Sequence, residues 1–273
     1  MPADTAPVRK LRIGSLKVEV HPSREAAGLA AAQAAAVELR ELAKTRRDSI
    51  AVIFATGASQ FDTLAALTSF TDLPWSQIRG FHMDEYVGIS ADHPASFRRY
   101  LRERLTQKAR MKEFLEINGN APDPTETASA YAEMLRAANP QLCLLGIGEN
   151  GHLAFNDPDV ADFQDPLDAK VVELDRLCRQ QQVAEGWFAG IDDVPESAIT
   201  LTIPALMRVP KLIASVPGSR KAKIVRRTLE EPISTACPAT ILRNHPDATI
   251  YLDRESASQL DGAIYTQSEQ GNA

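Results

Sequence analysis

Three short strings in the sequence carry residues that can move protons or hold an anion. The first is Phe81-His82-Met83-Asp84-Glu85-Tyr86-Val87-Gly88, which places two adjacent carboxylates after an apolar run. Carboxylates at the end of a buried strand are costly unless solvated, paired or used. Desolvation raises their pKa toward the range where one of them can exchange a proton near neutral pH. The bland alternative is a solvated acidic turn. The second string is Gly146-Ile147-Gly148-Glu149-Asn150-Gly151-His152-Leu153-Ala154-Phe155-Asn156-Asp157-Pro158. It presents an imidazole in a glycine loop with an amide, Asn150, and an acid, Asp157, on either side, a setting that fixes the tautomer and tunes basicity. Its GxGxxG spacing formally matches a dinucleotide fingerprint, but that motif needs a long helix starting in the glycines. Asn156-Asp157-Pro158-Asp159 interrupts any such helix, and the string sits mid-chain, so the fingerprint is rejected. The third string, Thr56-Gly57-Ala58-Ser59, offers two hydroxyls, a glycine for a sharp turn and the outward N–H groups of a new helix. That combination can cradle a phosphate, or it is a plain strand–turn–helix with Ser59 as cap. It is not the GxxxxGK[ST] nucleotide loop, because no lysine follows.

Two cationic positions bear comparison, of which Lys221 could reach an anion near the same sheet edge. Lys221 closes Gly218-Ser219-Arg220-Lys221 at a helix start, and Arg179 stands beside Gln180, Gln181 and Gln182; each taken singly reads as a surface charge. His21, His93 and His245 each precede proline and read as turn residues. No set of His, Cys and Asp has metal-ligand spacing and no GxSxG elbow occurs, which disfavours metal and serine-hydrolase mechanisms. Cys143, Cys178 and Cys237 are far apart, odd in number and without CxxC spacing, so neither a disulfide framework nor a zinc knuckle is indicated.

These strings must be held by regular elements, and the apolar pattern supplies them. Short runs rich in Val, Ile and Leu predict strands at 11–20 (or a hairpin there), 50–55, 78–82, 142–147, 198–203, 211–216 and 248–252. Helical periodicity predicts helices at 23–44, with Ser23 as N-cap, and at 60–69, 125–138, 174–185, 219–229 and 256–260. Another is predicted from Pro94, at the first helical position where a missing N–H is harmless, to about Leu105. Strands free of polar residues are buried on both faces, and their alternation with helices implies one doubly wound, mostly parallel sheet with helices on both sides. No repeat or Gly/Ser linker divides the chain, so a single α/β domain over 1–273 is expected, with its chemistry at the carboxyl ends of the strands.

Composition narrows the class further. The 273 residues carry 30 Lys+Arg against 36 Asp+Glu, a net charge of −6, and are 44% apolar, too apolar for a disordered chain. With a pI near 5.5 and no basic block, neither nucleic acid nor an anionic membrane is expected as the main partner. The apolar stretch at 142–147 falls far short of the ~20 residues that span a bilayer. Residues 1–10 lack the apolar region of a secretory leader, so a cytoplasmic protein is expected.

In combination, Met83-Asp84-Glu85-Tyr86-Val87-Gly88 and Asn150-Gly151-His152 with Ala154-Phe155-Asn156-Asp157-Pro158 resemble the glucosamine-6-phosphate deaminase (isomerase) family. That family shares a modified Rossmann fold with the 6-phosphogluconolactonases. The resemblance runs from about Ile50 to Leu260 and includes Ile241-Leu242, His245-Pro246 and Leu252-Asp253. Lactonases tend to carry an arginine after the acidic pair and a GHTAS-type loop, both absent here. The resemblance implies an aldose–ketose isomerisation of a hexosamine phosphate with loss of ammonia, giving fructose 6-phosphate, without metal or organic cofactor.

Its implied catalytic set is Asp84 as the base between C2 and C1, His152 as the ring opener oriented by Asp157, and Asn150. The implied substrate and phosphate contacts are Thr56, Gly57, Ala58, Ser59, Glu85, Gly151, Arg179 and Lys221. A homo-oligomer is compatible with it. Departures are Asn150 where some members have Asp, Asp157 for a longer Glu, and Ala58 for a second glycine, whose methyl would crowd a close phosphate. Some members bind an allosteric N-acetylated sugar phosphate after the position of Asp157. Here that segment holds Asp159, Asp162, Asp165 and Asp168 with only Lys170 near in sequence, so no such activation is expected. A cover over the sugar is expected between 157 and 174, with Trp187-Phe188 packed beneath it. Galactosamine 6-phosphate as the substrate, a lactonase-like hydrolase and a non-catalytic sugar-phosphate sensor are the competing readings.

Overall fold

A computed structural model of the chain describes residues 6–46 and 48–260; residues 1–5, on which part of the expectation about the N-terminal segment falls, lie outside it. In chain order the strands are β1 (Arg9–Ile13), β2 (Leu16–His21), β3 (Ile50–Phe54), β4 (Ile78–His82), β5 (Asp84–Tyr86) and β6 (Glu113–Leu115), then β7 (Leu142–Leu145), β8 (Ala169–Glu173), β9 (Ser197–Leu201), β10 (Lys211–Ser215) and β11 (Ala248–Asp253). The helices are α1 (Arg24–Thr45), α2 (Phe61–Ser69), α3 (Phe97–Leu101), α4 (Pro124–Ala138), α5 (Arg176–Ala184), α6 (Ile203–Met207) and α7 (Ala222–Glu230). An eight-stranded sheet runs β1-β2-β11-β10-β7-β3-β4-β6, parallel throughout except for the β1–β2 hairpin at one edge. Among the described residues no helix is long and apolar enough to cross a membrane.

The unbroken apolar strands arise because both sheet faces are covered. In β3, Ile50, Val52 and Phe54 pack under α1 and α2, while the alternate Ala51 and Ile53 pack in the core on the opposite face. β7 divides likewise, Leu142 and Leu144 to one side, Cys143 and Leu145 to the other. The alanine richness of α1 permits close packing, and Gly28 shows how close. A Cβ there would stand 2.4 Å from Asp62 Cβ on α2. Ser23 caps α1 as expected, accepting from Ala26 N at 3.3 Å.

The structure corrects the sequence reading in four places. The 198–203 strand is not in the main sheet; β9 lies centrally in a second, antiparallel sheet, β5-β9-β8, that was not expected. Pro94 does not open a helix, because Ser96 is the N-cap of α3 and Pro94 lies in the preceding turn. Residues 256–260 form hydrogen-bonded turns pinned by Asp253, whose Oδ1 accepts from Ser256 N at 2.7 Å, and not a helix. The acidic segment is also less bare than its sequence suggests. Asp168 is buried between the guanidinium groups of Arg136 and Arg208, and Asp165 pairs with Lys170 at 2.8 Å.

Candidate active site

β10, β7 and β3 are neighbours in the sheet, and the loops after their carboxyl ends open onto one cavity of about 370 Å³. Two of these loops are built alike. After β3, Gly57 takes φ +89° and Ala58–Gln60 make a single tight turn into α2. After β10, Gly218 takes φ +96° and Ser219–Lys221 make the same turn into α7. Positive φ is why glycine stands at both positions. Two helix starts therefore aim N–H groups and the positive ends of their dipoles at the same space, a cradle for an anion. Asp253 braces the second loop by accepting from Gly218 N at 3.0 and 3.1 Å.

Lys221 lines the cavity beside this cradle, and among the described residues its ammonium has no hydrogen bond or ion pair. Burial, aided by Arg220, draws its pKa below the usual lysine value against the opposing pull of Glu185 and Glu149. Thr56, Gly57, Ala58 and Ser59 all line the cavity as expected. Arg24 lines it too and was missed, since an arginine at the first position of a helix gives no distinctive signal. Its guanidinium is held by Asp62 and the carbonyl of Ala58.

Asp84 and His152 open into this same cavity. β5 alternates its side chains, so Asp84 faces the cavity and Glu85 the protein interior. Asp84 is buried with Oδ1 unpartnered, and burial, then the charge of Glu85, pushes its pKa well above the ordinary carboxylate range. His152 Nδ1 lies 2.8 Å from Asp157 Oδ1. The tight Leu153–Asn156 turn, with Ala154 at φ +51°, folds Asp157 back onto the ring, so the shorter side chain reaches without difficulty. Burial would raise the Asp157 pKa, but hydrogen bonds from His152 and Asn150 hold it below the usual value. Gly148 lies flat under the imidazole, and a Cβ there would stand 2.1 Å from Nε2.

Several expected contacts fall elsewhere. Glu85 does not reach the cavity; it is fully buried and caps α3, accepting from Phe97 N, Arg98 N, Ser96 Oγ and Arg98 Nε at 2.8–3.1 Å. Arg98 continues from there to Asn118, Asn120 and the carbonyl of Ile89. Because truncation would leave a buried carboxylate unpaired, Arg98→Ala should lower the unfolding free energy by about 3–5 kcal/mol in urea titration; a loss under about 1 kcal/mol would contradict this role.

Arg179 also points away, donating to the carbonyls of Ile191 and Val194. Gly151 is a turn residue packed on Cys237, and Asn150 braces the loop, donating to Asp157 and Asp175 and accepting from His152 N. The cover over the cavity comes from the face of α5 carrying Gln181 and Gln182, with Glu185 just beyond, and not from 157–174. Trp187 does support it from below, its Nε1 donating to Glu185 at 3.2 Å and its ring edge-on to Tyr100. Lys221→Ala should therefore raise KM about 10–100-fold, the worth of a charged hydrogen bond, while Arg179→Ala leaves KM near wild type. The reverse pattern in steady-state kinetics would relocate the anion.

The profile of the glucosamine-6-phosphate isomerases/6-phosphogluconolactonase family matches residues 22–251. A glucosamine-6-phosphate deaminase of an Exiguobacterium species is 36% identical over 200 residues, 72% of this chain and 76% of that protein. One from Listeria monocytogenes is 34% identical over 225 residues, covering 82% and 94%. Among solved structures, a monomeric glucosamine-6-phosphate deaminase superposes with TM-score 0.81 at 30% identity, over 89% of this chain and 99% of that one. The 6-phosphogluconolactonase of Trypanosoma cruzi shares the fold, with TM-score 0.73 at 17% identity over 92% and 98%.

Proposed function

The chain belongs to the glucosamine-6-phosphate isomerase/6-phosphogluconolactonase family, and we propose that within it this protein converts glucosamine 6-phosphate and water to fructose 6-phosphate and ammonia. One observation carries the reading: an ionisable, buried Asp84 and the His152 ring, held from behind by Asp157, share a cavity with a two-loop anion cradle and an unpaired Lys221. The phosphate rests on the turns at 56–59 and 218–221 with Lys221. His152 opens the ring, taking the anomeric hydroxyl proton and returning one to the ring oxygen. Asp157 acts as a positioning residue that stabilises the imidazolium this creates, and Asn150 holds that acid in turn.

Asp84 then removes the proton at C2, made acidic by the neighbouring aldehyde, and the aldehyde oxygen is protonated to give an enolamine. Returning the proton to C1 leaves an iminium at C2, to which water adds as ammonia departs. A positioned acid–base group of this kind contributes roughly 10²–10⁴-fold. Three free cysteines suit a reducing compartment, which favours the cytoplasm as its place and amino-sugar metabolism as its context. The test is ammonia release and ester hydrolysis over a panel of glucosamine, galactosamine and mannosamine 6-phosphates and 6-phosphogluconolactone. Ammonia from glucosamine 6-phosphate is expected. Turnover of the lactone alone would make the protein a hydrolase, and binding without any turnover would make it a sensor.

A further inference from the structure

We infer that the groups beneath His152 bind a thiophilic divalent cation such as zinc, and that its occupancy stops the imidazole from moving protons. A ring nitrogen of His152, a carboxylate oxygen of Asp157 and Sγ of Cys178 all lie within 4.8 Å of one another. One cation bound at about 2.0–2.3 Å from nitrogen, oxygen and sulfur can span such a set. Of the two ring nitrogens, Nδ1 faces Asp157 at 2.8 Å and is the one assigned here as ligand. Cys178 reaches the set from the first turn of α5, whose N-cap Asp175 accepts from Cys178 N at 2.6 Å. The spacing gave no sequence signal because this third ligand comes from a different element.

Charge points the same way. The Asn150 amide donates to Asp157 at 2.8 Å and to Asp175 at 2.9 Å, so two carboxylates stand within reach of one neutral side chain. Among the described residues neither has an ion pair to lysine or arginine. The place is therefore short of positive charge, and it offers nitrogen and sulfur, which select zinc or cobalt over magnesium or calcium. His152 also borders the cavity, the side from which an ion would enter.

On binding, Cys178 releases its thiol proton to water and ligates as thiolate. His152 ligates through unprotonated Nδ1 with its proton on Nε2, and Asp157 ligates as carboxylate. The ring then cannot become imidazolium, so ring opening halts. The inhibitory half of this inference rests on the proposed function; the binding half does not.

The full-length protein is titrated with Co²⁺ alone and read by the near-ultraviolet thiolate-to-cobalt band, in the wild type, Cys178→Ser and Cys178→Ala, with Cys237→Ser as the control thiol. The expected result is a band saturating at one equivalent in the wild type and Cys237→Ser and absent from both Cys178 variants. In parallel, the zinc concentration that halves ammonia release should rise about tenfold or more in the Cys178 variants, with metal-free activity retained. No wild-type band, or a band surviving the loss of Cys178, would overturn the site. A Cys178-dependent band without zinc inhibition would overturn the effect on the imidazole. Should the protein release no ammonia at all, the cobalt band alone still decides the site.

Discussion

Asp84→Asn should lower kcat for ammonia release by about 10²–10⁴-fold while KM for glucosamine 6-phosphate stays near its wild-type value. The amide fills the same space, so the anion cradle at 56–59 and 218–221 keeps its shape, and only the group proposed to exchange the C2 proton is lost. Thermal unfolding gives the experiment a second axis. Asp84 is buried, one of its oxygens lacks a partner, and Glu85 repels its ionised form. Removing that charge should leave the melting temperature unchanged or raised, as expected where a charge is kept for chemistry at the expense of stability. A clear fall in both kcat and melting temperature would instead make Asp84 a structural residue.

The pH profile follows from the same environment. A base works ionised, so kcat/KM should rise with pH through the elevated pKa of Asp84, its acid limb displaced upward from the ordinary carboxylate range. In the proposed mechanism Lys221 holds the phosphate as a cation, so kcat/KM should fall again as pH passes through its lowered pKa. A profile flat down to the pKa of an exposed aspartate would contradict the buried-base assignment.

The second large effect is on His152. His152→Gln removes the group proposed to shuttle protons during ring opening, and kcat should drop about 10²-fold or more. Binding should not follow. An acyclic amino-alditol 6-phosphate needs no ring opening, and calorimetry should give the variant and the wild type similar affinities for it. A matching loss of affinity would make His152 a binding residue. Asp157→Asn should reproduce part of the kcat loss, because Asp157 holds the ring by its 2.8 Å bond without lining the cavity.

How far the sequence could be read depended on which forces left a local trace. The main sheet was legible because strands buried on both faces are short unbroken apolar runs, as in 50–54 and 142–145. The second sheet was not, since β5 is Asp-Glu-Tyr and β8 mixes Lys170 and Glu173 with its valines. Asp84 and His152 could be picked out because proton-moving groups at strand ends are conspicuous. Glu85 was misread because adjacent residues of a strand face opposite ways, and its partner Arg98 lies in a later helix with no spacing rule to announce it.

Arg179 was misplaced for a related reason. On α5 the positions three and four apart, Cys178, Gln181 and Gln182, share the face toward the site, and the line continues to Glu185. Arg179 sits off that face and ties the helix to the loop at 191–194. The cover was assigned to the segment directly after the histidine loop, whereas the chain leaves to build β8 and returns as α5.

The account comes down to whether this cavity moves the C2 proton of an amino sugar before the nitrogen leaves. Glucosamine 6-phosphate deuterated at C2, turned over in ordinary water and followed by NMR, addresses that directly. The expected products are ammonia and an equal amount of fructose 6-phosphate, with the label at C1 or in the solvent. Ammonia accompanied by an aldose 6-phosphate still labelled at C2 would mean direct displacement of the amine, and the role given to Asp84 would be wrong.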